Sequence, residues 1–318
     1  MHYGIIGLGP VGATFACLLS AGGHKVSSLD NNLHRTEVLR NNPLKVTGHY
    51  QGEVELDHVF SSFNDFSASD PDVILISIKT YGLQDILERI RTYPNLCTKP
   101  VVSCQNGIDT EKEIAEALGE EYAYRMVLNF GVSYAGKSEV SINFLNEPHY
   151  LSSVSPSKAD VARSIVEELN AVGMGVKYVE DIRKESFRKA ILNCTLSSIC
   201  TLTRMTMAEV MENPELFRMV KELLRENIWI CKVLEIDLGE HFMEEAIAYL
   251  KKGGHHKPSM LIDIEQERVT EIRHLAGKLF EYAEKKGLPV PVTQTMYYLV
   301  KSLENSVMLH KYVQNPSV

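Results

Sequence analysis

The sequence lacks an excess of basic residues and has no long apolar run. Its net charge is -8 at pH 7 and its pI is about 5.8, so we expect neither nucleic acid nor a membrane as a partner, since nucleic acids and anionic lipids favour a basic surface. No apolar segment approaches the ~20 residues that a membrane span needs. The chain opens on the strand-like HYGIIGLG, without the features of a signal peptide, and we expect a cytoplasmic location.

Cysteines are few and follow no pattern. They stand at positions 17, 97, 104, 194, 200 and 231, in apolar surroundings, and none forms a CxxC pair or has the spacing of metal ligands. We therefore expect free, buried thiols in a reducing compartment and no metal site. Internal repeats and low-complexity tracts are absent from the sequence as well.

Strand and helix patterns alternate through residues 1–181 and give way to helical patterns over 182–318. The alternation predicts an α/β domain with a doubly wound, mainly parallel sheet, and the strand-rich stretch 123–155 predicts an antiparallel extension of it. Residues 182–318 are predicted to form an all-α domain. The motifs described below predict that this domain binds the substrate and supplies catalytic residues. Its helical runs are 184–202, 206–211, 214–236, 240–252, 259–286 and 291–309.

A glycine-rich turn, GLGPVG, follows the first predicted strand and precedes a helix. In such a motif Gly7 permits a tight turn, Gly9 lets the backbone approach a pyrophosphate, and Gly12 allows close packing of helix on strand. The N–H groups at the helix start then bind phosphate. A plain tight turn is the alternative. In a Rossmann domain the cofactor-binding residues of this turn would be Gly7, Leu8, Gly9, Pro10, Val11 and Gly12.

Asp30 decides between these two interpretations of the glycine turn. It follows the second predicted strand about twenty residues after the motif, where a carboxylate binds the ribose hydroxyls of a dinucleotide. We therefore predict a dinucleotide-binding Rossmann domain over 1–181. A carboxylate there repels a 2′-phosphate and so favours NAD over NADP, although Arg35 lies nearby.

Two further polar residues follow strands of the predicted sheet. Lys79 ends the run VILISIK, and Asn106 ends VVSCQN. Ligands bind outside the carboxyl ends of parallel strands, so both side chains are candidates for contact with cofactor or substrate. Taken singly, Lys79 is equally well explained as a solvated lysine, and Asn106-Gly107 as an ordinary turn.

An unusual lysine lies in the helical segment SFRKAILNC. On a helix Lys184, Arg188 and Thr195 share a polar stripe, whereas Lys189 lies on a more apolar face, with Asn193 one turn further on. An ammonium group on such a face costs several kcal/mol unless something satisfies it. The amine either extends to water or has a functional partner, and the helix alone leaves both interpretations open.

The segment HHKPSMLIDI gives a second polar cluster. His255 and His256 are adjacent, so their side chains diverge on a helix and do not predict a metal site. Pro258 and Ser259 predict a helix start. Further on, Glu271 lies among apolar residues, and a partly buried carboxylate there would suit a cation such as Lys189.

Taken together, these motifs resemble the ketopantoate reductase (2-dehydropantoate 2-reductase) family over nearly the whole chain. GLGPVG, IKT, QNG, FRKAILNC and KPSMLIDIEQERVTEI occur in the family's order and spacing. The resemblance implies a Rossmann domain, then an all-helical domain, with the active site in the cleft between them. It implies hydride transfer from NAD(P)H to a 2-oxo acid, with Lys189 as the general acid.

The resemblance also implies roles for individual residues. Lys189, Glu271 and Asn106 would be catalytic, and Lys79 and Asn106 would lie near the nicotinamide. The substrate would be bound by Lys189, Asn193, Ser197, His256, Ser259 and Glu271.

At four places the sequence departs from the family's pattern. Asp30-Asn31 stands where many members have an arginine that binds the NADPH phosphate, and Ser197 and His256 replace asparagines. Arg273 stands where an aspartate is usual. These changes retain the reaction type and leave the substrate open.

Three functions are therefore compared. The first is reduction of a branched 2-oxo acid, foremost 2-dehydropantoate to (R)-pantoate in pantothenate biosynthesis. The second is an NAD-dependent D-2-hydroxyacid dehydrogenase of the same fold. The third is an NAD(P)-sensing protein without catalysis, against which the retention of Lys189, Asn193 and Glu271 argues. The apolar helical half is compatible with a homodimer.

Overall fold

A computed structural model describes residues 1–314 of the chain. Its contacts divide the chain into two compact units, of which the first is Met1–Gln105 with Asp109–Ile182. The second is Asn106–Ile108 with the chain from Arg183 onward. The first unit is α/β and the second is helical, which confirms the predicted fold class. No helix within residues 1–314 is both long and apolar enough to cross a membrane.

The first unit contains the strands and six α-helices of residues 1–182. Its strands are β1 (His2–Ile6), β2 (Lys25–Leu29), β3 (Leu44–Gly48), β4 (Gly52–Val54), β5 (His58–Phe60), β6 (Val73–Ile76), β7 (Val101–Ser103), β8 (Ala123–Val127), β9 (Phe130–Tyr134), β10 (Glu139–Leu145), β11 (His149–Ser153) and β12 (Val176–Tyr178). Its helices are α1 (Pro10–Ala21), α2 (Leu33–Asn41), α3 (Phe63–Ala68), α4 (Leu83–Arg91), α5 (Thr110–Leu118) and α6 (Ala159–Ala171).

The main sheet of the first unit has eight strands in the order β12-β11-β8-β7-β6-β1-β2-β5. All neighbours are parallel except β8 and β11, which are antiparallel. On β6, Val73 and Leu75 belong to one buried cluster while Ile74 and Ile76 belong to another. Successive side chains thus enter cores on opposite faces, which explains why the strand is apolar throughout.

A second, four-stranded sheet in the first unit has the order β4-β3-β10-β9. Of the three strands between residues 44 and 60, only β5 belongs to the main sheet, and β3 and β4 belong to the second one. The predicted antiparallel extension at 123–155 is likewise shared between the two sheets. The chain leaves the main sheet between β8 and β9, at Asn129. The Asn129 N–H donates to His149 Nδ1 at 3.0 Å, and its side-chain amide donates to the Pro148 carbonyl at 2.7 Å.

The second unit is built from helices. They are α7 (Arg183–Thr203), α8 (Met207–Glu212), α9 (Pro214–Val233), α10 (Phe242–Lys251), α11 (Ser259–Glu265), α12 (Ala276–Lys285) and α13 (Pro291–Gln314), with a short 3₁₀ helix at Ile272–His274. The predicted start at Ser259 is confirmed. The predicted single helix over 259–286 is wrong, because residues 266–275 separate α11 from α12.

Hydrogen bonds and ion pairs inside the second unit explain the break after α11. Arg268 donates its backbone N–H to the carbonyl of Asp263 at 2.8 Å, and its guanidinium pairs with the carboxylate of Asp263. Thr270 is bound by Glu304 of α13. Glu267 takes a left-handed backbone conformation with φ of 51°, which no continuing helix permits.

The strained backbone at Glu267 gives a prediction about stability. The side chain is exposed, so Glu267→Gly removes only the steric cost of positive φ. Glycine costs entropy on folding, but the relief of strain is larger, so we expect the free energy of unfolding to rise by roughly 0.5–1 kcal/mol. A rise in the thermal midpoint measures this gain. Glu284→Gly, on the exposed side of α12, is the control and should lower the midpoint. Equal effects of the two changes would contradict the assignment of strain.

Candidate active site

The glycine turn of the first unit has the three properties that its sequence predicted. Gly7 has φ of 96°, and a Cβ there would lie 2.5 Å from Ile78 Cγ2. A Cβ on Gly12 would lie 1.9 Å from the carbonyl oxygen of Gly7, so the start of α1 packs directly on the turn. Around Gly9 no atom lies within 4 Å of the Cβ position, and the backbone is open to a ligand.

Asp30, at the end of β2, is 5% exposed and is held by three donors. Its Oδ2 accepts the N–H of Leu8 at 2.7 Å and the guanidinium of Arg35 at 2.9 Å. Its Oδ1 accepts the N–H of Asn32 at 2.8 Å. Because Leu8 gives its N–H to Asp30 and buries its side chain, it shapes the turn and has no N–H left for a phosphate.

Two contacts at the turn had no signal in the sequence. The Ser77 hydroxyl donates to the carbonyl of Gly7 at 2.8 Å, and the Tyr134 hydroxyl donates to the carbonyl of Leu8 at 3.3 Å. The Arg35 guanidinium lies over the Tyr134 ring, 5.3 Å from its centre. Tyr134 belongs to β9, which is distant in sequence, so its pairing with the turn depends on the second sheet.

The turn fits a dinucleotide on its own geometry. Pro10 is the first residue of α1, where its missing N–H is not needed, and the N–H groups of Val11 and Gly12 have no intrahelical acceptor. These groups and the positive end of α1 face the open side of Gly9, where a pyrophosphate would be bound. The Asp30 oxygens lie at the end of the neighbouring strand, as ribose recognition requires.

Lys79 lies further from the sheet than predicted. Strand β6 ends at Ile76, and Lys79 precedes a 3₁₀ turn at Thr80–Gly82. It is partly exposed and its backbone is extended. The loop between β6 and α4 therefore carries Lys79, and its role toward a cofactor stays a prediction.

A polar pocket lies in the second unit. Five of the predicted site residues line it, together with three that were not predicted to do so. The lining residues are Asn106, Asn193, Ser197, Ser259, Met260, Asp263, Glu271 and Leu275. Asn106 reaches this pocket because Asn106–Ile108 belongs by its contacts to the second unit, where the Ile108 N–H donates to the His274 carbonyl at 2.9 Å.

Lys189 lies on the helix that forms one wall of this pocket. Lys189, Asn193 and Ser197 are four residues apart on α7 and share one face, and Asn193 and Ser197 line the pocket. Lys189 is partly buried, one turn before Asn193. Thr195 shares its face of α7 with Lys184 and Arg188, as predicted, but it is fully buried because neighbouring helices pack around α7.

Two carboxylates border the pocket in different ways. Glu271 is 6% exposed and accepts the side-chain amide of Asn106 at 3.3 Å. Asp263 is paired with Arg268, whose guanidinium nitrogen lies 2.8 Å from its Oδ1. The charge of Asp263 is thus opposed by a cation. Asp263, Met260 and Leu275 were missed as pocket residues, although Asp263 lies one helical turn after Ser259.

Other predicted residues lie outside the pocket. His256 is exposed, and its carbonyl accepts the Met207 N–H at 3.0 Å.

Within residues 1–314 no group of three or more His, Cys, Asp or Glu side chains is arranged to hold a metal ion. None of the six cysteines forms a disulfide, and burial raises the pKa of the Cys194 and Cys200 thiols to about 12, so neither is a reactive thiolate.

Two family models match the chain. Residues 3–155 match "Ketopantoate reductase PanE/ApbA", and residues 181–304 match "Ketopantoate reductase PanE/ApbA C terminal". The 2-dehydropantoate 2-reductase of Streptococcus pyogenes serotype M18 is 27% identical over 305 residues, which cover 94% of this chain and 97% of that protein. The 2-dehydropantoate 2-reductase of Lactococcus lactis is 24% identical over 96% of this chain and 98% of its own length.

Solved structures share the fold. D-mandelate dehydrogenase with NADH and anilino(oxo)acetate has a TM-score of 0.85 at 24% identity, over 96% of this chain and 99% of that chain. The PanE/ApbA family ketopantoate reductase from Ralstonia eutropha JMP134 has a TM-score of 0.86 at 17% identity, over the same shares. At these identities the likeness shows the fold alone.

The glycine turn with Asp30 and the family matches define an NAD(P)-dependent oxidoreductase with a Rossmann-type nucleotide unit. Since the two models together cover most of its length, the chain belongs to the ketopantoate reductase family. This confirms the family and the enzyme class that the sequence motifs predicted. The roles of individual site residues stay predictions.

The glycine turn gives a prediction that separates folding from binding. Gly9→Ala places a methyl group in open space, so we expect an unchanged thermal midpoint but weaker binding of NADH and NADPH, because the methyl obstructs the pyrophosphate. Gly12→Ala places a Cβ against the Gly7 carbonyl, so we expect it to lower the thermal midpoint in addition to weakening cofactor binding. Titration calorimetry and a thermal scan measure the two effects. A Gly9→Ala protein with full affinity would place the nucleotide elsewhere.

Proposed function

We propose that this enzyme reduces a branched 2-oxo acid to the 2-hydroxy acid with NAD(P)H, foremost 2-dehydropantoate to (R)-pantoate. The observation that carries the proposal is the pocket of the second unit, where Asn106, Asn193, Ser197, Ser259 and Glu271 converge beside the α7 face that bears Lys189. The first unit would bind the nucleotide through the glycine turn and Asp30. The names of the relatives support the same substrate class.

The chemistry assigns a role to each group. NAD(P)H, held by the glycine turn and Asp30, would supply a hydride to the C2 carbonyl carbon, which would leave negative charge on the carbonyl oxygen. The Lys189 ammonium stabilises that charge and donates the proton that completes the hydroxyl. The Asn193 amide and the Ser197 hydroxyl, on the same face of α7, are donors for the substrate's oxygens.

The composition of the pocket fits a small, branched, anionic substrate. Amide and hydroxyl donors suit the carboxylate and carbonyl of a 2-oxo acid, and Met260 and Leu275 supply an apolar wall for its alkyl substituent. Asp263 would repel a carboxylate, but Arg268 opposes its charge. Glu271 accepts a bond from Asn106 and is placed to accept from a cation or from a substrate hydroxyl.

A second candidate is an NAD-dependent D-2-hydroxyacid dehydrogenase acting on another branched acid. Asp30 favours it, since a carboxylate at this strand end suits NAD, and the D-mandelate dehydrogenase of similar fold was solved with NADH. We further propose that the protein works in a reducing compartment, the cytoplasm, because none of its six cysteines forms a disulfide.

Turnover of a panel of 2-oxo acids, each with NADH and with NADPH, separates the candidates. Highest kcat/KM on 2-dehydropantoate supports the first candidate, and highest kcat/KM on another branched or aromatic 2-oxo acid with NADH supports the second. Binding of NADH without turnover of any acid would indicate the sensor and overturn the proposal.

Lys189→Ala tests the general acid. We expect kcat to fall by about 10²–10⁴, the usual range for loss of a general acid, while the affinity for NADH is retained. The matched control is Lys184→Ala on the same helix, where the half-exposed lysine lies 3.9 Å from Asp237 and should be dispensable. An equal loss in both variants, or a parallel loss of cofactor affinity, would make Lys189 a structural residue.

Asp30→Ala tests the choice of cofactor. Removing the carboxylate frees Arg35 from its 2.9 Å ion pair, and a free guanidinium suits a 2′-phosphate. We expect the ratio of kcat/KM for NADPH over NADH to rise by about tenfold. Because Asp30 also holds the Leu8 N–H, both cofactors should bind less tightly, and only the ratio is diagnostic. The double variant with Arg35→Met should lose the shift; an unchanged ratio in Asp30→Ala would reject the assignment.

A further inference from the structure

Helix α13 carries a buried carboxylate beside the segment that bears Glu271. Glu304 is 2% exposed, and its Oε2 accepts the backbone N–H of Thr270 at 2.7 Å and the hydroxyl of Thr270 at 2.6 Å. Its Oε1 accepts the ammonium of Lys301, one turn earlier on the same helix. An ionised carboxylate satisfied by a main-chain donor, a hydroxyl and a cation is a strongly held group.

These bonds fix a segment that has little regular structure of its own. Between α11 and the 3₁₀ turn the backbone lacks the helical bonds that would set its direction. Thr270 is 2% exposed, and its hydroxyl oxygen also accepts the Ile272 N–H at 3.3 Å. The Glu271 carbonyl accepts the His274 N–H at 3.0 Å. Helix α13 thus holds this segment from outside: Glu304 binds Thr270, and the Lys311 ammonium donates to the Glu267 carbonyl at 3.0 Å.

The residue directly after the anchored threonine is the pocket carboxylate. Glu271 reaches the pocket and accepts the Asn106 amide at 3.3 Å, so its aim depends on where the backbone of Thr270 is held. A shift of about 1 Å in a group that contacts the substrate is enough to lower the rate strongly.

We propose that Glu304 is a positioning residue for the reaction: it holds Thr270 and thereby aims Glu271 at Asn106 and the substrate. The inference rests on the proposed function, since Glu271 matters to catalysis only if the pocket binds the 2-oxo acid. Glu304 itself is not among the residues that line the pocket and, in this proposal, does not contact the substrate.

Two pairs of substitutions separate positioning from general stability. Glu304→Gln keeps the size of the side chain but replaces charge-assisted bonds by neutral ones, and we expect kcat/KM for the 2-oxo acid to fall by about tenfold. Thr270→Val removes the hydroxyl donor while the N–H remains, with a similar fall expected, and Thr270→Ser restores the donor and the activity. Glu284→Gln makes the same chemical change at an exposed site and should leave kcat/KM unchanged.

A double-mutant cycle with Glu271→Gln tests whether Glu304 acts through Glu271. In the Glu271→Gln background, Glu304→Gln should have little further effect on kcat/KM, because the group that it aims is already lost. The KM for the nicotinamide cofactor should change much less than kcat/KM for the 2-oxo acid, because the glycine turn and Asp30 belong to the first unit. The thermal midpoint and the binding of the oxidised cofactor are measured for each variant. Together they give the fraction of folded protein, and each rate is divided by that fraction.

The outcomes are distinguishable from those that test the proposed function. Additive effects in the cycle, or full normalised kcat/KM in both Glu304→Gln and Thr270→Val, would overturn the positioning role while wild-type turnover still supports the function. A wild-type protein that neither reduces nor binds any 2-oxo acid would overturn the function and the inference together. Failure of Thr270→Ser to restore activity would also count against positioning, because its hydroxyl can still reach Glu304.

Discussion

The shape of the nucleotide turn depends on one buried carboxylate. Asp30 is the point at which the Leu8 N–H, the Asn32 N–H and the Arg35 guanidinium converge, all within 3 Å. It ties the end of β2 to the turn after β1, and the Ser77 hydroxyl holds the same turn from β6. A residue that the sequence suggests only as a ribose ligand is therefore also part of the scaffold, and this double use limits what may replace it.

The second unit uses the same physical device at its own site. Glu304 accepts a main-chain N–H from Thr270 just as Asp30 accepts one from Leu8, and in both cases the segment so held carries residues that we propose to contact a ligand. Irregular backbone needs acceptors that secondary structure does not supply. A buried carboxylate supplies a strong one, with a cation nearby to offset its charge: Arg35 in the first unit, Lys301 in the second.

How far the sequence predicts this molecule depends on whether a signal is local. The glycine turn, the start of α11 and the helical face of Lys189 and Asn193 were predictable because neighbours along the chain define them. The course of the chain before Glu271 was not, because the Glu304 carboxylate that holds Thr270 after α11 has ended is 34 residues away in sequence. The second sheet was missed for the same reason: hydrophobic alternation predicts a strand but does not identify its partner.

That second sheet also constrains how the first unit assembles. Strand β3 pairs in parallel with β10, Lys45 opposite Glu139, so forming this pair closes a loop of about ninety residues that contains β4 to β9. Because β3 and β4 are close in sequence, we expect this hairpin to form early during synthesis, with one edge of β3 unpaired until β10 is made. We expect β9 and β10 to cover that edge late in folding, which makes this hairpin the segment most in need of protection on the nascent chain.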